Sequence, residues 1–253
     1  MSAADARIAM VQGASRGIGL ALVETLLEAS DVQRVFATSR NPVHSEGLAA
    51  LRARHGDRLV CEPLDVTAED SIRAAARQIG ERTPRLHWLF NCAGVLHDAP
   101  VRPEKRLEDV DPAHLARALA VNAFGPLLVA KHFLALLAHG ERSVLANLSA
   151  RVGSIEDNRL GGWYAYRASK AAQNMFTRTL AIETRRRAPR LICVALHPGT
   201  VATNLSAPYR AGIDPDRVFP PRKAASQLWS VVQSLEPEDS GRFLDWAGKP
   251  IAW

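Results

Sequence analysis

The chain has 253 residues, of which 47% are hydrophobic and 23% charged, so it is long enough for one large α/β domain or for two small domains. Its formal net charge of +6 comes from 27 Arg against 5 Lys, and because the arginines are scattered they disfavour nucleic-acid binding and suit an anionic small molecule. No stretch approaches the roughly 20 apolar residues of a membrane span and the N-terminus lacks a signal-peptide core, so we expect a cytoplasmic protein without a membrane or nucleic-acid partner.

The three cysteines, Cys61, Cys92 and Cys193, are far apart, and each lies in or beside an apolar run. This spacing favours buried free thiols over disulfides or a metal site. We therefore expect a reducing compartment and no bound metal.

In chain order, the first element is the short apolar run Arg7–Gln12, which is followed by Gly13-Ala-Ser-Arg-Gly-Ile-Gly19 and a helical pattern over 20–29. A strand, a glycine turn and a helix form a phosphate-binding arrangement. Gly13 would allow the tight turn, Gly17 the approach of the backbone to a pyrophosphate, and Gly19 close packing of helix on sheet. The spacing differs from Gly-x-Gly-x-x-Gly, and such turns are often only structural, so the motif alone is weak.

The same alternation continues along the chain. Strands are predicted at 34–38, 58–63, 86–90, 143–148, 191–196 and 243–246, and helices at 46–55, 68–80 and 222–235, with long helices before the strands at 143 and 191. Continuous apolar strands that alternate with helices predict an α/β fold with a doubly wound parallel sheet and helices on both faces. Because no linker or composition break interrupts the chain, residues 1–253 are expected to form a single domain.

Polar and glycine residues follow four of these strands, at the edge where a parallel sheet places its ligand. Each segment alone is ordinary turn chemistry, but their joint placement is harder to explain in that way. The segments are Asp65-Val66, Asn91-Cys-Ala-Gly94, Asn147-Leu-Ser149 and His197-Pro-Gly-Thr-Val-Ala-Thr203.

Tyr166 and Lys170 are four residues apart in a predicted helix, so they share a face. An ammonium beside a phenol favours the phenolate and is expected to lower the tyrosine pKa from about 10. A tyrosine of this kind can exchange protons near neutral pH. The alternative is a helix-surface pair without function.

Together these motifs resemble the short-chain dehydrogenase/reductase family over essentially the whole chain. The stretches Ser149-Ala-Arg-Val-Gly-Ser-Ile155 and Gly161-Gly-Trp-Tyr-Ala-Tyr-Arg167 are similar to the subgroup that contains Sniffer-type carbonyl reductases and bacterial C-factor signalling proteins. The residues that carry the family resemblance are Gly13, Gly17, Gly19, Asp65, Asn91-Cys-Ala-Gly94, Asn122, Tyr166, Lys170 and Pro198-Gly199.

The resemblance implies a Rossmann-type fold, hydride transfer between a nicotinamide and a carbonyl or alcohol carbon, and a homodimer or homotetramer. Tyr166 would protonate the carbonyl oxygen, Lys170 would lower the tyrosine pKa and bind the nicotinamide ribose, and Asn122 would help to hold a proton-relaying water. The cofactor contacts implied are Gly13, Ser15, Arg16, Gly17, Ile18, Gly19, Arg40, Asp65, Val66, Asn91, Ala93, Gly94, Tyr166, Lys170, Pro198, Gly199, Val201 and Thr203.

The end of the fifth strand departs from the family pattern. Where the family has a second serine that orients the substrate carbonyl, this chain has Ala150, which cannot donate a hydrogen bond. Ser149 would take the role if the strand end shifted by one residue, and Ser154 is the other candidate. Alternatively, the site manages with Tyr166 alone.

The choice of nicotinamide follows from charge at the end of the second strand. An NAD-specific site places an acid there, whereas this strand ends Ala37-Thr-Ser-Arg-Asn41. Arg40, with Arg16 from the glycine turn, would pair with a 2′-phosphate, although both could simply be solvated. NADP(H) is therefore the expected cofactor.

Two functions remain open. The first is an NADPH-dependent reductase of a small-molecule aldehyde, ketone or quinone. The second, which Ala150 favours, is a nucleotide-binding signalling protein of C-factor type with weak turnover. The segment 200–222 is expected to form a lid over the substrate. Trp163 and Tyr164 are candidates for the pocket wall, and His97 is given no role. The apolar tail 251–253 is expected to contact another subunit or its own domain.

Overall fold

Seven parallel strands form the central sheet of the computed structural model, which describes residues 7–97 and 102–253. The sheet order is third, second, first, fourth, fifth, sixth and ninth strand, and a separate two-stranded sheet joins the seventh and eighth. The strands are β1 Arg7–Gln12, β2 Val32–Ser39, β3 Leu59–Pro63, β4 Trp88–Asn91, β5 Ser143–Leu148, β6 Leu191–His197, β7 Thr200–Val201, β8 Val218–Phe219 and β9 Phe243–Asp245.

Helices cover both faces of this sheet. They are α1 Gly17–Glu28, α2 Glu46–His55, α3 Glu69–Gly80, α4 Pro112–Leu119, α5 Gly125–Leu137, α6 Tyr164–Arg187 and α7 Pro221–Ser234. Alternate residues of β1 point to opposite faces: Val11 joins the core under α1 and α7, and Met10 joins the core under α3 and α5. The predicted doubly wound α/β fold is confirmed.

The strand order reverses between β1 and β4, which are neighbours in the sheet although a long stretch of chain separates them. In an open parallel sheet, the crevice outside the carboxyl ends of two such strands is where ligands bind. Gln12 and Asn91 are paired at this point, so the segments that follow them border the crevice.

One expectation about membranes needs correction. The continuous helical stretch Pro112–Leu137, which comprises α4, a π-helical turn Ala120–Phe124 and α5, has mean hydropathy 1.5 in its most apolar window and the length of a membrane span. In the part of the chain that the structure describes, it is the one stretch to pass this test. Its residues Val129 and Phe133 are buried in the core beneath α3, so the fold gives them an ordinary packing role.

Cys61, Cys92 and Cys193 are free thiols, as expected, but only Cys193 is fully buried and the other two are partly exposed. Ile251 is buried and the Trp253 ring stacks on Phe243 at 5.7 Å, so the apolar tail packs on its own domain.

Candidate active site

The turn between β1 and α1 is folded so tightly that side chains are excluded from it. Gly13 has φ of 81°, and a Cβ there would lie 2.5 Å from the backbone nitrogen of Ala93. A Cβ on Gly19 would lie 2.2 Å from the carbonyl oxygen of Gly13. The N–H groups of Gly13 and Ala14 both donate to the carbonyl of Thr38, at 2.8 and 3.0 Å, which fixes the turn against β2.

Helix α1 begins at Gly17 without a side-chain cap. Its first N–H groups therefore have no side-chain acceptor, and such a helix start favours an anion. The Ser15 carbonyl accepts from the Ser45 hydroxyl at 2.9 Å, which ties the turn to α2. The turn and the helix start fit a pyrophosphate.

The end of β2 carries further groups without partners. The hydroxyls of Thr38 and Ser39 are buried and form no hydrogen bond with any described residue. Arg40 and Arg16 are exposed, and neither guanidinium forms an ion pair within residues 7–97 and 102–253. These groups suit the ribose and phosphate end of a dinucleotide.

Asp65 follows β3, and its carboxylate is held by a local turn. The carboxylate accepts from the Thr67 N–H at 2.9 Å and from the Thr67 hydroxyl at 2.7 Å. Burial opposes ionisation, but these hydrogen bonds and the charges of Arg40 and Arg117 outweigh it and lower the pKa of Asp65. The neighbouring Val66 fills the space over Gly125, where a Cβ would lie 2.8 Å from the Val66 Cβ.

A chain of amides crosses the floor of the site. The Asn91 amide donates to Asn147 at 2.8 Å, and the Asn147 amide donates to the Thr177 hydroxyl on α6 at 2.8 Å. The Asn91 oxygen is buried without a partner among the described residues. Beside it, the Ala93 N–H donates to the Gln12 side chain at 3.2 Å.

Tyr166 and Lys170 lie on one face of α6 and are both buried, as their spacing predicts. The Lys170 ammonium nitrogen lies 5.9 Å from the centre of the Tyr166 ring. It donates to the Leu148 carbonyl at 2.7 Å and to the Gln173 side chain at 3.0 Å. Hydrogen bonds therefore hold the ammonium at the end of β5.

The pKa of Tyr166 corrects an expectation. Burial raises the pKa of Tyr166 to about 12, and burial lowers the pKa of Lys170 to about 7. The sequence predicts that the tyrosine pKa is lowered, because a lysine four residues away would stabilise the phenolate. Residue spacing does not show how deeply the tyrosine side chain is buried. Desolvation of the phenolate dominates here.

Asn122 lies in the π-helical turn Ala120–Phe124, a rare structure that is frequent at functional sites. Its side chain accepts from the Val95 N–H and donates to the Val95 carbonyl, both at 2.8 Å. It also donates to Ser169 at 3.0 Å, and Ser169 donates to the Tyr166 carbonyl at 2.8 Å. Asn122 thus connects the segment after β4 to α6.

Both serine candidates are occupied by protein groups. The Ser149 hydroxyl donates to Asn174 at 2.6 Å, and the Ser154 hydroxyl donates to the Trp253 carbonyl at 3.3 Å. The role in orienting a carbonyl, expected of Ser149 or Ser154, therefore requires either hydroxyl to leave its partner. Ala150 follows β5 and offers no donor.

The segment after β6 returns over the glycine turn. A Cβ on Gly17 would lie 3.2 Å from the Thr203 methyl group, so Thr203 closes that end of the site. Gly199 has φ of 77°, and a Cβ there would lie 2.8 Å from the Phe219 ring and 3.1 Å from the Trp246 ring. Pro198 and Val201 follow the same path, so the structure brings this motif to the predicted edge.

Aromatic rings connect the expected lid to Tyr166. The Tyr209 ring, from the lid, meets Trp163 edge-on at 5.0 Å, and Trp163 meets Tyr166 edge-on at 6.3 Å. His97, which was given no role, has its Nε2 3.3 and 3.2 Å from the carbonyls of residues 204 and 205 and its ring 5.8 Å from Tyr209. Sequence reasoning missed His97 and Tyr209 because single aromatic residues carry no spacing signal.

A model of the short chain dehydrogenase family matches residues 7–214. The chain belongs to the short-chain dehydrogenase family. It is therefore an oxidoreductase by family, as the motifs indicate.

Named proteins resemble this short-chain dehydrogenase along most of their length. The NADPH-bound carbonyl reductase from chicken fatty liver superposes with TM-score 0.87 and 34% identity, over 98% of this chain and 99% of that one. The carbonyl reductase Sniffer of D. melanogaster superposes with TM-score 0.85 and 28% identity over 98% and 99%. C-signal of Myxococcus xanthus is 38% identical over 147 residues, 58% of this chain and 83% of that protein. The predicted resemblance to the Sniffer and C-factor subgroup is confirmed.

His197, which precedes Pro198, gives this short-chain dehydrogenase an acid-sensitive site. Its Nδ1 atom is buried without a partner among the described residues, and burial, with the charge of Arg151, lowers the pKa of His197 to about 4. The unfolded chain protonates this histidine near about pH 6.5, so between these values it binds more protons than the folded protein. The free energy of unfolding is therefore expected to decrease as pH falls through this window, by at most about 3 kcal/mol.

Urea unfolding between pH 4.5 and pH 7 checks this expectation. His197→Asn should give a shallower dependence on pH than the wild type, because asparagine does not titrate. The exposed His44 supplies the matched variant, His44→Asn, which should keep the wild-type slope. Equal slopes in all three proteins would show that His197 does not cause the loss of stability.

Proposed function

We propose that this short-chain dehydrogenase reduces a carbonyl group to an alcohol with NADPH. The observation that carries the proposal is the burial of Tyr166 and Lys170 on one face of α6, with the ammonium held at the end of β5. The similarity to the NADPH-bound carbonyl reductase from chicken fatty liver over nearly the full chain supports it. A small aldehyde, ketone or quinone is the expected class of substrate.

The chain's own groups suit NADP(H), which when bound supplies the hydride. The glycine turn and the open start of α1 would hold the pyrophosphate. Arg40 and Arg16 would pair with the 2′-phosphate. The remaining proposed contacts follow the motifs and are Gly13, Ser15, Gly17, Ile18, Gly19, Asp65, Val66, Asn91, Ala93, Gly94, Pro198, Gly199, Val201 and Thr203.

Tyr166 would act as the proton donor. Because burial raises its pKa to about 12, the phenol keeps its proton at neutral pH and is ready to give it to a carbonyl oxygen. An ammonium has three N–H groups, and Lys170 uses two of them on Leu148 and Gln173. Among the described residues the third has no acceptor, so it would be available to a ribose hydroxyl, and the protonated form of Lys170 would favour the phenolate once the proton has left.

Asn122 would support this step from below Tyr166. Its side-chain amide is hydrogen-bonded to Val95 and Ser169, so it fixes the position of α6 relative to the segment after β4. As the family resemblance implies, Asn122 would also help to hold a water that relays protons.

A signalling function is the second candidate, and one similarity favours it. C-signal of Myxococcus xanthus is 38% identical to this chain over the part that aligns. Ala150 removes the usual donor, and the hydroxyls of Ser149 and Ser154 are engaged elsewhere, which is compatible with slow turnover. In that case nucleotide binding would matter more than reduction.

We further propose a cytoplasmic homodimer, which the free thiols and an exposed apolar face support. Phe124 and Phe176 have ring centres 6.3 Å apart, and Met175 and Ile182 expose 63% and 55% of their surface nearby on α6. An exposed apolar face of this kind suits a second copy of the chain. A homotetramer would require a second interface.

The cofactor proposal predicts that NADPH binds more tightly than NADH and that Arg40→Asp reverses the order. Loss of charge-assisted phosphate contacts should cost about 1.5–3 kcal/mol, which is roughly tenfold to hundredfold in affinity. Fluorescence titration measures both dissociation constants. Arg186→Asp, at the far end of α6, makes the same change in charge and should leave the preference intact. Equal wild-type affinities for the two cofactors would contradict the proposal.

The catalytic proposal predicts that Tyr166→Phe keeps the fold and NADPH binding while kcat falls by about 10²–10⁴-fold, since only the proton donor is removed. Steady-state oxidation of NADPH with a panel of aldehydes, ketones and quinones provides the measurement. The exposed Tyr164 gives the matched variant, Tyr164→Phe, which should stay near wild-type kcat. Retention of more than a tenth of kcat in Tyr166→Phe would mean that the proton comes from elsewhere.

We predict that Ala150→Ser raises kcat, by up to about 10²-fold, because the new hydroxyl restores a hydrogen-bond donor near the developing oxyanion. Ser149→Ala should change kcat by less than about threefold, since the Ser149 proton is given to Asn174. The same assay decides between the two positions. A strong loss in Ser149→Ala with no gain in Ala150→Ser would return the role to Ser149.

A further inference from the structure

Glu104 is a buried carboxylate that the proposed chemistry does not use. Its side chain is 1% exposed, although it belongs to a loop whose residues 105–109 are all exposed. A buried carboxylate is costly unless hydrogen bonds satisfy it. Its contacts therefore indicate what the loop is fixed to.

Within residues 7–97 and 102–253, its hydrogen bonds all lead to α4 or to the start of α6. The side chain lies 2.9 Å from Nδ1 of His114 on α4, which donates to it. Its other oxygen accepts from the Ala165 N–H at 3.3 Å, and its main-chain carbonyl accepts from the Trp163 N–H at 2.6 Å. Helix α6 has no side-chain cap of its own, so Glu104 provides the cap from a distant loop.

The residue held by the Glu104 carbonyl is strained. Trp163 has φ of 52° and ψ of 43°, and it is the one non-glycine residue with positive φ among the described residues. A left-handed conformation is unfavourable for a bulky residue and persists where its surroundings enforce it. The Trp163 ring contacts both Tyr166 and Tyr209.

Two links therefore fix α6 relative to the helical stretch that begins with α4. Glu104 and His114 form the first, at Ala165, and Asn122 with Ser169 forms the second. Tyr166 lies between these two attachment points. A shift at the first link would tilt its ring and move its hydroxyl, and a displacement of about 1 Å can cost about 10² in rate.

We propose that Glu104, supported by His114, is a positioning residue that sets the placement of Tyr166 and the conformation of Trp163. The inference rests on the proposed function, because its consequence for rate needs Tyr166 as proton donor. The role depends on the reach of the side chain: a hydrogen-bond acceptor must meet the Ala165 N–H while the other end of the group contacts His114.

Four variants distinguish the effect of the length of the Glu104 side chain from the effect of its charge. Glu104→Gln keeps the length and both contacts, since its amide oxygen accepts from Ala165 and its NH₂ donates to His114 in the other tautomer. Glu104→Asp keeps the charge but is one methylene too short to meet both partners. Glu104→Ala removes both contacts. Glu108→Ala removes an exposed carboxylate from the same loop and is the matched control.

In the kinetic test, Glu104→Gln and Glu108→Ala should keep kcat within about threefold, and Glu104→Asp and Glu104→Ala should lose about tenfold to hundredfold. The dissociation constant for NADPH should stay within about twofold in all four. NADPH deuterated at the transferred position should show a larger isotope effect on kcat in the impaired variants, because hydride and proton transfer become limiting. A loss in Glu104→Gln as large as in Glu104→Ala, or a kcat per NADPH-binding site unchanged in Glu104→Asp, would overturn the proposal.

A spectroscopic test does not need turnover. The chain contains three tyrosines, so protein labelled with 3-fluorotyrosine gives three ¹⁹F resonances, and Tyr166→Phe identifies one of them. The Tyr166 resonance should shift in Glu104→Asp and Glu104→Ala and stay in place in Glu104→Gln and Glu108→Ala. An unmoved resonance in Glu104→Asp would refute the positioning role. Should the wild type reduce no carbonyl, the proposed function fails, while this spectrum still decides whether Glu104 positions Tyr166.

Discussion

The burial of the Lys170 ammonium is the constraint on which the rest of the site depends. A cation that is 3% exposed needs hydrogen-bond acceptors, and it finds them in the Leu148 carbonyl and in Gln173. The route of the side chain also limits its neighbours. A Cβ on Gly153 would lie 2.7 Å from the Lys170 Cβ, and one on Gly94 would lie 3.9 Å from the ammonium nitrogen. Gly153 is therefore required by the close approach of α6, whereas a Cβ on Gly94 would make only an ordinary contact.

Buried amides and hydroxyls around this site fix the position of α6 relative to the sheet. Asn91, Asn147 and Thr177 link β4, β5 and α6 through two hydrogen bonds, and Asn122 and Ser169 add a third connection. Each bond is worth only about 1 kcal/mol, but a buried network that loses one member leaves the others unsatisfied. Tyr166 is therefore placed by groups that come from four separate parts of the chain.

The sequence predicts the sheet well because its signal is local. The apolar runs at Arg7–Gln12 and Ser143–Leu148 and the helix Glu46–His55 coincide with the observed elements, and the family motifs meet at the predicted edge. The strands β7 and β8 have two residues each and depend on pairing between the two ends of the segment 200–222, so no local pattern indicates them.

Other features depend on how deeply a side chain is buried or on contacts between distant parts of the chain, and the sequence could not predict them. The pKa of Tyr166 rises because the side chain is buried, whereas spacing reveals only its neighbour. The hydrogen bond from Ser149 to Asn174 joins the end of β5 to α6, and no spacing in the sequence indicates it. Glu104 and His114 lie in unremarkable sequence, and their contact exists because a loop returns to the start of α6. The stretch Pro112–Leu137 shows the reverse case, in which apolar sequence of membrane length belongs to a packed core.

The reversal of strand order between β1 and β4 also determines the order in which the strands of the sheet can pair. β1 pairs with β2 early in the chain, but its other edge stays open until β4 has been synthesised, and the Ile8 N–H then meets His87, 79 residues away. Pairings of this separation form slowly because a long loop must close first. On the ribosome, the glycine turn and both neighbouring strands of β1 are complete while Tyr166 and Lys170 are still untranslated. The nascent chain thus has its glycine turn before the helix that carries Tyr166 and Lys170 exists.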